Sequence, residues 1–285
     1  MSILQSFLLG ILQGIAEFLP ISSSGHLAVA QNLLKLDDVP ILFDISLHVA
    51  TLFAVVIFFR KKIVLLFKYL FRWIGRKELL KSESDLNSDV DYLTGNEEYA
   101  RKTIIAVLLT NLVTGIIGVI TSKFIQDVPI KLTCVGFIIT ALFLLLSRFY
   151  DKHLASKEKA NKPISKTQAL IIGFMQGIGT LPGISRSGST ITGALLSGVN
   201  KESACEYSFI VSIPAILAAF LLELKDLDKI ASSVGILPIL IGCLSAFCVG
   251  YLSLSLLMKL IKKGNLYWFA FYLIPVGFLG IFLLQ

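Results

Sequence analysis

The chain has 285 residues, of which 55% are apolar and only 16% charged, and its mean hydropathy is +0.80. A soluble domain usually carries about 25% charge, so too little polar surface is available to cover a compact water-facing fold, and an ordinary soluble enzyme is excluded. The net charge of +7 then fits basic loops on the cytoplasmic side of a membrane better than a nucleic-acid surface, and no nucleic-acid partner is expected.

In chain order, residues 3–34 form an apolar region broken by Pro20-Ile21-Ser22-Ser23-Ser24-Gly25-His26. The first basic residue is Lys35, so the start lacks the positive segment of a cleaved signal. An apolar span at Ile41–Phe59 ends in Arg60-Lys61-Lys62, and residues 63–73 mix Lys68 and Arg72 with aromatics, which suits a helix lying at the membrane interface. Residues 75–102 form a polar cytoplasmic insert, expected to be mobile and without chemistry. Spans follow at about 103–121 and 130–148, then a basic loop containing Lys152, His153, Lys157, Lys159, Lys162 and Lys166. A second broken region runs from Thr167 to Asn200, interrupted by Pro182-Gly183-Ile184-Ser185-Arg186-Ser187-Gly188, and spans at about 207–223, 234–258 and 266–284 complete the chain. Each span approaches the roughly 20 residues needed to cross a hydrocarbon core about 30 Å thick. The expectation is an all-α polytopic membrane protein with about six crossings and two re-entrant helix pairs. Cys134, Cys205, Cys243 and Cys248 stand singly in or beside apolar segments and read as packing residues.

A shift of 163 positions places Gly10, Gln13, Gly14, Ile15, Ile21, Ser22, Ser24 and Gly25 on Gly173, Gln176, Gly177, Ile178, Ile184, Ser185, Ser187 and Gly188, so the two broken regions are copies. The first repeat covers about 1–121, with the insert at 74–102, and the second about 165–285. Three crossings between the copies invert one relative to the other. With 60–102, 149–167, 259–265 and the Lys201 loop inside, 20 of the 26 Lys and Arg residues, Arg148 included, are cytoplasmic and both termini are outside.

Irregular backbone at membrane depth must be buried in protein or line a wet cavity, so the two loops are expected to meet. Glu17 is the only charged side chain among the first 34 residues, and Arg186 stands alone between Lys166 and Lys201. Such charges cost about 2.5–3.5 kcal/mol to insert unless paired or wet, and a functional pocket holding both accounts for them. Gly10, Gln13, Gly14 and Glu17 share one helix face, the glycines for close helix packing. Hydroxyls at Ser185, Ser187, Ser189 and Thr190, free amides at a helix N-terminus and the Arg186 guanidinium describe an anion site. Ser22, Ser23 and Ser24 supply matching hydroxyls, and His26 lies one residue beyond Gly25, where an imidazole serves as acid, base, nucleophile or ligand. His48 is assigned a structural contact with Asp44, four residues away, and His153 is read as solvated.

The stretches Gln13–Leu27 and Pro182–Thr190, with Tyr207–Ala215 as a third, resemble the signature motifs of the bacterial undecaprenyl-diphosphatase family, associated with bacitracin resistance. The resemblance covers nearly the whole chain. It implies removal of the terminal phosphate of undecaprenyl diphosphate, a polyprenyl diphosphate lipid, in the bacterial plasma membrane, a divalent cation (Mg²⁺ or Ca²⁺), and a pocket open to the extracytoplasmic side. Carried over, the (Glu/Gln)xxxGlu motif falls on Gln13 and Glu17, with Glu17 as metal ligand. The catalytic Ser and His fall on Ser23 and His26, and the phosphate-binding Arg on Arg186, flanked by Ser185 and Thr190. Gln13 departs from a carboxylate, and Thr110-Asn111 stands where relatives tend to have Ile-Pro. A second lipid-phosphatase family with SGH and SR motifs requires a histidine six residues after the arginine, where this chain has Thr192. Attack by Ser23, by His26 or by a water held by His26 is left open, as is a homodimer. The rival from another class is a lipid-phosphate transporter using the same inverted-repeat pocket.

Overall fold

The computed structural model describes residues 1–36, 39–76, 96–122, 128–153, 162–223, 234–263 and 266–284, and every regular element among them is helical. The first half contains α1 (Ile3–Ala16), α2 (Ser23–Leu33), α3 (Ile41–Phe58), α4 (Arg60–Ile74), α5 (Glu97–Ser122) and α6 (Ile130–His153). The second contains α7 (Lys166–Ile178), α8 (Arg186–Leu196), α9 (Lys201–Glu223), α10 (Ile236–Lys263) and α11 (Trp268–Leu283).

Four helices, α5, α6, α9 and α10, have apolar stretches of 25, 19, 22 and 26 residues, long enough to span a membrane. The bent pair α3–α4, turned by 80° at its break, makes a fifth. The apolar α11 has 16 residues, about 24 Å at 1.5 Å per residue, short of a full hydrocarbon core. The six expected crossings thus include one that falls short.

The 163-residue repeat extends to the helix caps. Ser2 and Gln5 close a capping box on α1, and Ser165 and Gln168 close the same box on α7. Ser22 caps α2 and Ser185 caps α8. The two copies are exchanged in their packing: α1 lies along α10, the last long helix of the second half, and α7 lies along α5 of the first. The paired glycines permit this approach. A Cβ on Gly10 would stand 2.3 Å from the Gly242 carbonyl, and one on Gly173 2.8 Å from the Thr110 carbonyl. Thr110, part of the Thr-Asn departure, bonds the Ala169 carbonyl at 3.0 Å and the buried Tyr207 hydroxyl at 2.8 Å, tying α5 to α7 and α9.

Two boundaries differ from the sequence expectation. α5 begins at Glu97, so the last residues of the polar insert are helical. Asn96 accepts the Tyr99 amide at 2.8 Å, and the buried Glu97 carboxylate pairs with Arg72 at 3.2 Å and Arg101 at 2.8 Å, ending the need for a solvated loop there. The helix of α6 runs on to His153, placing that residue's backbone on a helix rather than in a loop. Cys134 and Cys205 are buried and Cys243 is half-buried, whereas Cys248 is exposed and so departs from the packing role expected of all four.

Candidate active site

Both broken regions reverse the chain into a serine-capped helix, but the left-handed residue falls at different places, on Ser22 itself in the first copy and two residues before Ser185 in the second. α1 stops at Ala16, five residues reverse the chain, and Ser22 starts α2 with φ 70°, its Oγ accepting the Gly25 amide at 3.3 Å. In the second copy Gly183 takes φ 77°, and Ser185 caps α8 by accepting the Gly188 amide at 3.1 Å. The Ser185 amide in turn donates to Thr140 on α6 at 2.9 Å, fixing the loop. Each cap leaves the first amides of its helix without intrahelical partners. Two positive helix ends therefore open into one pocket, an arrangement that favours anions.

Glu17 is the hub. Arg186 Nη2 donates to its Oε1 at 2.5 Å, while Ser23 Oγ donates to Oε2 at 2.6 Å and Gln13 Nε2 donates to the same oxygen at 2.9 Å. His48 Nδ1, reaching across from α3, lies 2.9 Å from Oε2 and 2.8 Å from Gln13 Nε2. With its proton on Nδ1 the imidazole donates to Glu17; with the proton on Nε2, Nδ1 accepts from Gln13. The side chain of Glu17 is 4% exposed and that of Arg186 19%. An ion pair so far from water needs close geometry and further hydrogen bonds to offset desolvation, and Ser23, Gln13 and His48 supply them.

A cavity of about 240 Å³ opens beside this pair. It is lined by Glu17, Ser22, Ser23, Ser24, Ser185, Arg186 and Ser187, so seven of the predicted residues converge. His48, Gly179 and Thr180 also line it, and Ile45, Ala215, Ile216 and Ala219 form its apolar wall. Thr180 is the repeat counterpart of Glu17, and Arg186 that of Ser23. The pocket is thus built from equivalent positions that carry different chemistry.

Four predicted residues are placed elsewhere. Gln13 is fully buried behind Glu17 and reaches the pocket only through it. Ser189 and Thr190 turn their hydroxyls back to the carbonyls of Ser185 at 2.8 Å and Arg186 at 2.6 Å. His26 faces α6 and α11. Its Nδ1 lies 2.8 Å from the Ser22 carbonyl, its Nε2 2.9 Å from the Tyr272 hydroxyl, and its ring packs on Phe137 and Tyr272. The histidine the sequence did not assign to the pocket is His48. Its expected partner Asp44 accepts a hydrogen bond from Gln31 Nε2 of α2 at 2.7 Å, while the His48 Nδ1 atom is engaged by Glu17 and Gln13.

For a divalent cation the donor set is sparse, and both oxygens of its one carboxylate already accept hydrogen bonds. Among the described residues no three His, Cys, Asp or Glu side chains converge on a metal-sized space. Glu17 offers a carboxylate, Ser22 and Ser24 offer hydroxyl oxygens, and the buried Gln13 Oε1 has no hydrogen-bond partner. One carboxylate completed by water and substrate phosphate oxygens is how Mg²⁺ is commonly held.

These features define a class: a polytopic helical membrane protein whose two broken-helix pairs enclose a pocket around a buried Glu–Arg pair. The family model described as bacitracin resistance protein BacA matches residues 6–279. The chain is 47% identical over 280 residues to an undecaprenyl-diphosphatase of Treponema denticola, covering 97% of this chain and 96% of that protein. It is 36% identical over 282 residues to one of Borrelia recurrentis, covering 99% of each, and 37% identical over 288 residues to one of Methanosphaera stadtmanae, covering 99% and 98%. The chain belongs to the bacitracin resistance protein BacA family.

Proposed function

We infer that the protein is a membrane hydrolase that removes the terminal phosphate of undecaprenyl diphosphate, leaving undecaprenyl phosphate and inorganic phosphate, and so returns the carrier lipid to cell-wall synthesis. The observation that carries this reading is the meeting of Glu17, Ser23 and Arg186 between two helix N-termini, in a chain similar over its full length to undecaprenyl-diphosphatases. The cavity holds a headgroup, not a long chain, so the prenyl tail stays among the helices and lipid. The proposed setting is the bacterial plasma membrane with the pocket facing outward, supported by the crowding of Lys and Arg into the loops assigned to the cytoplasm. A homodimer is proposed with it: added methyl groups on Gly115 and Gly118 of α5 would meet nothing within 4 Å, leaving a surface for close approach of a second helix.

Phosphoryl transfer depends on positioning and charge stabilisation. In the proposed sequence the guanidinium of Arg186 and the first amides of α2 and α8 take the phosphate oxygens. Ser23 Oγ, already hydrogen-bonded to Glu17, attacks the terminal phosphorus and passes its proton to that carboxylate. The bond from phosphorus to the bridging oxygen breaks, and the lipid monophosphate departs. Water then hydrolyses the phosphoserine. Ser23 is favoured over His26 because it lines the pocket, whereas both ring nitrogens of His26 are engaged beside it. His26 instead holds the Ser22 carbonyl and with it the turn that presents Ser23. A divalent cation held by Glu17 would supply further neutralisation of the phosphate oxygens.

Purified protein in detergent with a polyprenyl diphosphate and Mg²⁺ is expected to release phosphate, and Ser23→Ala to release at least about 10³-fold less. Lipid movement in vesicles with no phosphate release by the wild type would overturn the hydrolase reading in favour of transport. His48→Ala is expected to lower kcat about 10–100-fold, because it removes a hydrogen bond that orients Glu17 from within the pocket wall. An unchanged kcat in a folded His48→Ala protein would remove His48 from the site.

A further inference from the structure

Among the side chains of α11 only Trp268 and Tyr272 carry a polar group. Tyr272 is 46% exposed, and a phenylalanine would cover the same surface equally well, so its hydroxyl calls for an account of its own. A phenol on an apolar helix needs a hydrogen-bond partner, and Tyr272 finds it 246 positions away, its hydroxyl lying 2.9 Å from Nε2 of His26 on α2. The two rings are nearly parallel, at 13°. Phe137 of α6 packs on the same imidazole, with centroids 4.8 Å apart, and a side chain on Gly25 would strike its ring. α6 and α11 lie along each other, so His26 is set against a firm two-helix wall.

The other ring nitrogen decides how the protons are arranged. Nδ1 lies 2.8 Å from the Ser22 carbonyl, which can only accept, so Nδ1 carries the hydrogen. In the neutral imidazole Nε2 is then the acceptor, and the Tyr272 hydroxyl is the donor. Without that donor the ring is free to carry its hydrogen on Nε2 instead, and the Ser22 carbonyl loses its side-chain hold. That carbonyl belongs to the same planar unit as the Ser23 amide. Fixing its oxygen therefore fixes the direction in which the Ser23 N–H points and where the Ser23 side chain starts. Ser22 needs such a hold, because its φ of 70° is one that a non-glycine residue keeps only when its surroundings impose it. We propose that Tyr272 is a positioning residue for phosphate release: through His26 its hydroxyl holds the Ser22–Ser23 peptide, so that Ser23 Oγ stays in the pocket and against Glu17. The proposal rests on the reading of Ser23 as the attacking group. It makes a residue of the last helix responsible for aiming a side chain of the first hairpin.

Tyr272→Phe keeps the ring and removes only the donor. It is expected to lower kcat for a polyprenyl diphosphate about tenfold with KM within about twofold, since the hydroxyl aims the nucleophile and binds no substrate. In a His26→Gln protein, where the link is already cut, adding Tyr272→Phe should cost less than about twofold. Nitrogen NMR of isotope-labelled histidine, in lipid and at mildly alkaline pH, gives a readout that a packing role would not move. The His26 signals, assigned by their loss in His26→Gln, should show hydrogen on Nδ1 and none on Nε2 in the parent. In Tyr272→Phe they should shift toward the Nε2–H form, while those of His48 and His153 stay in place. An unchanged kcat in Tyr272→Phe, equal losses from it in the parent and His26→Gln backgrounds, or an Nε2–H signal from His26 in the parent would each overturn the assignment. Absence of phosphate release by the parent would instead overturn the hydrolase reading itself. The NMR signature needs no turnover, and so tells that failure from a failure of the Tyr272–His26 link.

Discussion

Arg186→Ala is expected to lower kcat/KM for a polyprenyl diphosphate by about 10³-fold, equivalent to about 4 kcal/mol of transition-state stabilisation. The guanidinium does two things at once in this fold: it neutralises Glu17 and it presents its remaining donors to the pocket. Removing it leaves a carboxylate buried beside the incoming diphosphate, so repulsion adds to lost attraction. Arg186→Lys keeps the charge but not the planar fork, and a point charge cannot hold Glu17 and a phosphate oxygen in the same plane; a loss of about 10- to 100-fold is expected. Breaking a buried pair also destabilises, commonly by about 3–5 kcal/mol, so thermal unfolding must be followed beside phosphate release. The double variant Glu17→Gln, Arg186→Met separates the two effects, since it should recover much of the melting temperature and none of the activity. Normal phosphate release by folded Arg186→Ala would end the assignment of this pocket.

Gly183→Ala should have the largest structural effect of the Gly→Ala changes among the described residues. Gly183 has φ 77°, and a Cβ there would lie 1.8 Å from the Thr133 carbonyl oxygen and 3.0 Å from Thr133 Cα. The left-handed conformation alone costs a non-glycine residue about 1–2 kcal/mol. The overlap is with helix backbone on α6, which cannot rotate away, so the loop that carries Ser185 and Arg186 must move. Gly198→Ala is the control, because Gly198 also has positive φ, 89°, but an added methyl meets nothing within 4 Å. That variant should lose about 2–4 °C in melting temperature and keep its activity, whereas Gly183→Ala should fail to yield a monodisperse active protein. Comparable behaviour of the two would mean that close contact with α6 does not set the loop.

Much of this architecture is legible in the sequence because lipid makes a strict solvent. Apolar stretches mark α5, α6, α9 and α10, and the duplicated Gly-x-x-Gln-Gly motifs mark α1 and α7, since their glycines and amides have no reason to recur in unrelated helices. Glu17 and Arg186 stand out for the same reason. What escapes the sequence is partnership at a distance. His48 has Asp44 one turn away and Glu17 thirty-one positions away, and only the crossing of α1 with α3 decides between them. Ser189 and Thr190 carry the right groups for an anion site, yet each lies four residues after a carbonyl that it can reach within its own helix. The glycines announce close packing without naming the neighbour, so the exchange of α1 onto α10 and of α7 onto α5 is not visible in one dimension.

That exchange has a consequence for how the molecule is made. α1 is complete at Ala16, but the helix that covers its glycine seam does not begin until Ile236. During synthesis the first hairpin, carrying Gln13 and Glu17, must therefore wait in or beside the translocon while most of the chain emerges. Neither half can close its own seam: α7 finds α5 already made when it emerges, whereas α1 stays uncovered until α10 follows, so the glycine seam of the first helix is closed among the last.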